Sequence, residues 1–132
     1  MRAQCQCGQL AAQVPGPTDQ LVVCHCIACQ RRSGSPYGTI AYYPAEDVTL
    51  TGKATEYSRT ADSGNKVTTG FCPDCGSTMW FVGELKPGTI GIPLGLFADP
   101  GYPPPARSVY EATMHHWVTI PGDIPHFPRG RT

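Results

Sequence analysis

The chain has 132 residues, a mass of 14.2 kDa, ten Lys plus Arg against ten Asp plus Glu, and a sequence pI of about 6.9. That length predicts one domain over residues 1–132 with a core of its own, and the balanced charge excludes a nucleic-acid or anionic-membrane footprint. The basic spots Arg31-Arg32 and Arg129 to Arg131 are too small to change this and read as solvated residues.

The N-terminal run Met1-Arg2-Ala3-Gln4-Cys5 has no apolar stretch behind it, which predicts no secretory signal. No apolar run approaches the ~18 residues of a membrane span. The expectation is a cytoplasmic protein with reduced thiols. Strands are predicted at Leu10 to Val14 and Gln20 to Cys24, separated by the turn signal Pro15-Gly16-Pro17-Thr18-Asp19. The one helical piece, Ala28 to Arg32, lies on a cysteine motif. Tyr37 to Tyr43 is aromatic and β-branched and ends at Pro44. Val48 to Leu50, Thr55 to Ser58, Lys66 to Phe71, Met79 to Val82 and Thr89 to Leu94 continue the series of short strands. Ser108 to Ala112 and Trp117 to Ile120 are weaker strand predictions. Proline rules out regular structure from Asp99 to Pro105. The predicted architecture is mainly β, with many loops and no repeat.

The seven cysteines fall in three clusters: Cys5-Gln6-Cys7, Cys24-His25-Cys26-Ile27-Ala28-Cys29, and Cys72-Pro73-Asp74-Cys75-Gly76. The thiols of an extended C-x-C point the same way. A C-x-x-C turn folds two sulfurs onto one ion, and Gly76 lets the backbone curl so that amides face them. Such spacing signals zinc; iron–sulfur ligation uses similar thiols. Two partitions fit. Cys26, Cys29, Cys72 and Cys75 form a two-knuckle site, leaving Cys5, Cys7 and Cys24. Alternatively, Cys24, Cys26 and Cys29 chelate one ion while the outer pairs meet across the fold. Short loops cost less to close, which favours the second.

Either partition leaves four thiolates and three. A four-thiolate zinc is closed and structural; a three-thiolate zinc keeps an open position. Formally negative, that centre activates water poorly but accepts a soft thiol and favours its thiolate, a nucleophile. His25 between two cysteines faces away from the metal if the segment is extended. His115, His116 and His126 lack ligand spacing, although any of them could fill the open position. The Gly34-Ser35-Pro36-Tyr37 loop is expected to wall a pocket beside the trio.

The patterns Cys5-x-Cys7-Gly8, Cys24-His25-Cys26-x-x-Cys29-Gln30-Arg31-Arg32-Ser33-Gly34-Ser35-Pro36 and Phe71-Cys72-x-x-Cys75-Gly76-Ser77 resemble the glutathione-dependent formaldehyde-activating enzyme family, which includes centromere protein V. Leu96-Phe97-Ala98-Asp99-Pro100 and the segment from Trp117 to Phe127 look like its C-terminal part. The resemblance implies a β-tent fold of short antiparallel sheets with two Zn2+ per chain. It implies a structural zinc on Cys5, Cys7, Cys72 and Cys75 and a catalytic zinc on Cys24, Cys26 and Cys29. It also implies a carbon–sulfur lyase-like activity on a thiol–aldehyde adduct, with a small thiol such as glutathione as partner. The alternatives are a non-catalytic zinc-binding interaction module and a thiol or zinc sensor.

Overall fold

Short strands dominate the computed structural model, which describes residues 1–130. Arg131, from the C-terminal basic spot, lies outside the described residues, as does Thr132. The strands are β1 (Arg2–Gln4), β2 (Ala11–Gln13), β3 (Leu21–Cys24), β4 (Gly38–Pro44), β5 (Thr49–Thr51), β6 (Thr55–Thr60), β7 (Lys66–Phe71), β8 (Thr78–Gly83), β9 (Thr89–Pro93) and β10 (Arg107–Val109). One α-helix, α1 (Ile27–Ser33), joins β3 to β4. The fold is mainly β, as expected. Among the described residues no helix is long and apolar enough to cross a membrane.

Two sheets form. The small one runs β1-β2-β5; the large one runs β10-β3-β4-β9-β8-β7-β6. All pairings are antiparallel except β10 with β3. Every residue of β3 is buried, and its Leu-Val-Val-Cys sequence suits a strand covered on both faces.

Alternation along the strands separates two environments. On β4, Ala41 and Tyr43 enter the core with Leu10, Leu21, Met79, Ile92 and Phe97. Ile40 and Tyr42 face the other way, into a cleft that Val22 and Cys24 of β3 also line. The core is where the small sheet meets the large one, since Ala3 and Ala12 belong to the same cluster. Tyr43 and Tyr102 share a buried hydroxyl–hydroxyl hydrogen bond of 2.8 Å within it.

The departures from the sequence reading have local causes. β1 has only Arg-Ala-Gln, without β-branched residues, and exists through its register with β2. Trp117 to Ile120 forms no strand; a turn closes from Val118 N–H to His115 C=O at 3.1 Å, and Val118 and Ile120 pack on Val23. β10 stops at Val109 because Tyr110 adopts φ 58° and a 3-10 turn follows over Glu111–Thr113. β9 ends at Pro93, and Leu94 opens another 3-10 turn.

Candidate metal centres

The Sγ atoms of Cys5, Cys7, Cys72 and Cys75 all lie within 4.8 Å of one another, as do those of Cys24, Cys26 and Cys29. This is the partition that loop closure favours, and all seven cysteines are free thiols. Within the first cluster Cys7 Sγ lies 3.6 Å from Cys5 Sγ and 3.7 Å from Cys72 Sγ. A tetrahedron with metal–sulfur bonds of about 2.3 Å has edges of about 3.8 Å. These two sulfur–sulfur distances match the edge of a tetrahedral metal site.

The four-cysteine cluster belongs to the core. Cys5 and Cys72 are members of the main apolar cluster, with Cys75 packed against it. Local backbone turns present donors to the sulfurs. Leu10 N–H donates to Cys5 Sγ at 3.3 Å, and Gln9 Nε2 donates to Cys72 Sγ at 3.0 Å. Gln9 is itself clamped, donating to Lys53 C=O and accepting from Lys53 N–H. The knuckle after Cys72 closes through Gly76 N–H to Cys72 C=O at 2.8 Å, with Gly76 at φ 79°. Glycine adopts that angle without strain. The Ser77 hydroxyl and amide hold the Cys75 thiol down to about 5. These donors stabilise thiolates, the form that binds a metal.

The three-cysteine cluster sits at the join of β3 and α1. Cys26 is the helix N-cap, its Sγ accepting from Cys29 N–H at 3.3 Å, and Gly34 closes the helix at φ 71°. Cys24 faces the cleft from β3. Hydrogen bonds from the Cys24 and Cys29 thiols hold Cys26 down to about 2. Cys24 is pushed up by its hydrogen bonds with Cys26 and Cys29 and by burial. Cys29 is pushed up to about 11: the hydrogen bond with Cys24 pulls down, but the one with Cys26 and burial outweigh it.

Without a metal, then, this cluster carries one thiolate and two protonated thiols near neutral pH. Loading a divalent ion displaces about two protons, so log affinity should rise by about two per pH unit. Competition against a chromophoric chelator between about pH 6 and pH 8 measures that slope; a flat profile contradicts this protonation state.

Among the described residues no histidine or carboxylate joins the trio. His25 is fully buried and turned away, its Nε2 2.9 Å from Ser108 Oγ and its ring 5.6 Å from that of Tyr37. Burial pulls its pKa below the usual value. His115 Nε2 pairs with Gln30 Oε1 at 2.9 Å, and His126 Nδ1 with Glu111 Oε2 at 2.6 Å. His116 is exposed. The Gly34 to Tyr37 loop does not wall the cleft; Tyr37 packs on His25 and Val23 instead.

The cleft beside the trio has a volume of about 930 Å3. One wall comes from α1, β4 and β10, the other from β6, β7 and β8. Arg31, Arg32, Arg59, Lys86 and Arg107 line it, with Asp62 as the one acidic lining residue among those described. Arg107 donates to Gln20 Oε1 at 2.9 Å, and Lys86 Nζ lies 3.9 Å from the Tyr42 ring centroid. Tyr42 is pushed up to about 12, by burial first and then by Cys24 and Cys29. The neutral chain thus concentrates cations around one cavity, which whole-chain charge does not reveal. Arg59, Arg107 and Tyr42 carry no motif of their own; only strand pairing brings them to the trio.

A crystal structure of a Rhodobacter sphaeroides protein shares this fold, with a TM-score of 0.60 at 19% identity, covering 96% of this chain and 99% of that one. No curated protein matches the sequence. The family model for glutathione-dependent formaldehyde-activating enzyme matches residues 1–118, a span that contains both cysteine clusters. The chain therefore belongs to the glutathione-dependent formaldehyde-activating enzyme family.

Proposed function

We propose that the protein is a cytoplasmic zinc enzyme that joins a small thiol to an aldehyde and splits the adduct in reverse. This is a carbon–sulfur lyase-like activity, with glutathione and formaldehyde as the pair the family name suggests. The observation that carries the reading is the three-sulfur cluster, without a fourth protein ligand among the described residues, opening on a cationic cleft. Cys5, Cys7, Cys72 and Cys75 would hold a structural zinc, and Cys24, Cys26 and Cys29 a catalytic one.

Zinc at the trio would supply Lewis acidity toward a soft fourth ligand, which favours the thiolate of a substrate thiol. In the forward direction the thiolate sulfur bonds to the aldehyde carbon. The carbonyl π pair moves to oxygen, and that oxygen takes up one proton, replacing the one the thiol lost. Tyr42, held as a neutral phenol in the cleft, is suited to donate to the developing oxyanion. Val22, Ile40, Phe71 and Phe81 line the same cleft and exclude water from one side of the reacting atoms. The cationic lining suits a thiol that carries carboxylates, as glutathione does. The cavity also falls in the ~300–1,000 Å3 range of small-molecule sites.

Exchange NMR with labelled formaldehyde and glutathione tests the activity. The zinc-loaded protein should raise the rate of adduct formation and breakdown above the protein-free rate, leaving the equilibrium unchanged. A rate equal to the protein-free one contradicts the reading.

A further inference from the structure

Arg32 has an environment that its neighbour Arg31 lacks. Arg31 is exposed, whereas Arg32 is half-buried and its Nε is buried without an acceptor. Its guanidinium carbon lies 4.8 Å from the Phe81 ring centroid, so β8 covers one face of the group. Among the described residues Arg32 makes no ion pair with a carboxylate; the salt bridge there is His126–Glu111. A buried donor normally has a partner, and this one lines the cleft without any.

The placement follows from α1. Arg32 lies three residues beyond Cys29, on the same helical face. A Cβ built at Gly38 would lie 3.1 Å from Arg32 Nη2 and 3.5 Å from Cys29 Sγ. The bare backbone of Gly38 thus lets guanidinium and sulfur approach the same point. A planar fork of N–H donors matches a carboxylate or a phosphate bidentately, and the carboxylate is the one of the two that a small thiol such as glutathione carries. Arg107, by contrast, already donates to Gln20.

We propose that Arg32 is the specificity residue of the cleft, binding a carboxylate on the same small molecule whose sulfur reaches the cysteine trio. The inference rests on the thiol-binding reading above and adds the residue that does the selecting: among the cations of the cleft, Arg32 reads the carboxylate and so separates carboxylated thiols from neutral ones. The competing role is a counter-charge, in which the guanidinium only balances the cysteine thiolates and serves the metal.

Two probes separate these roles: 3-mercaptopropionate and its amide, which differ only in the anionic group. Protein with cobalt(II) at the trio reports sulfur binding through its charge-transfer band. Wild type should bind the carboxylate at least about tenfold tighter than the amide, the scale of one charge-assisted pair. Arg32→Gln, compared at saturating cobalt, should abolish that preference and leave amide affinity unchanged; Arg32→Lys should restore part of it. Independently, the Arg32 Nε–H resonance, assigned by its loss in Arg32→Gln, should shift on adding propionate, which has no thiol.

A preference that survives Arg32→Gln overturns the proposal. So does a fall in cobalt affinity with both thiols weakened alike, which assigns the counter-charge role. An Nε–H resonance unmoved by propionate and by mercaptopropionate also overturns it. Absence of a sulfur charge-transfer change with either thiol, while propionate still shifts that resonance, overturns the thiol reading and leaves the carboxylate contact standing.

Discussion

Cys72→Ser should abolish cooperative folding, or lower stability by about 4 kcal/mol or more. Cys72 is fully buried in the main core cluster and accepts from Gln9 Nε2. A metal on its cluster ties the Cys5–Cys7 pair to the Cys72–Cys75 knuckle. The Cys7–Cys72 contact spans 65 residues. Treated as a chain cross-link, closing such a loop in the unfolded state is worth about 4 kcal/mol. Structural zinc in small domains contributes still more, about 10–16 kcal/mol of apparent binding energy. A whole domain has only about 5–15 kcal/mol of net stability, so one lost ligand is decisive. Circular dichroism melts of the variant and wild type, each with saturating zinc, measure the effect; a melt within a few degrees of wild type contradicts it.

Cys26→Ser should behave in the opposite way, keeping the fold, losing one of two zinc ions and falling to the uncatalysed rate. Its cluster joins residues five positions apart at most, so a cross-link there closes short loops worth only about 2 kcal/mol. The cluster lies on the cleft side of the large sheet, away from the main core. The substitution is also gentle to α1. The Cys26 thiol caps the helix by accepting from Cys29 N–H, and a serine hydroxyl is among the best groups for that task. Zinc per chain by mass spectrometry under native conditions, with a melt of the same sample, should give about one ion and a stability within about 2 kcal/mol. Loss of both ions, or unfolding comparable to Cys72→Ser, contradicts the division between a structural and a working site.

Much of this division is legible in the chain itself. The cysteine spacings and the Gly76 turn mark knuckles, and short-loop chelation groups Cys24 with Cys26 and Cys29. The β series is readable because Lys66–Phe71 and Tyr37 to Tyr43 alternate between tight turns. The segments that were not readable depend on partners. Arg2–Gln4 has no strand character of its own and takes it from β2. Val118 and Ile120 look like strand residues but use their side chains to cover Val23 from a turn.

The cleft is invisible for a related reason. Its cations come from α1, β6, β10 and the segment after β8, and a balance of ten against ten hides their convergence. Arg31 and Arg32 read alike in sequence; the approach of Phe81 and the missing side chain of Gly38 separate them.

The most direct test is zinc X-ray absorption on the two-zinc protein before and after a thiol is added. Seven cysteine sulfurs shared by two ions should give about three and a half sulfurs per zinc, rising to about four when the thiol fills the remaining position. An imidazole scattering signature, with a sulfur count unmoved by thiol, would mean that the protein closes the second site itself and that the chemistry proposed here has no place to occur.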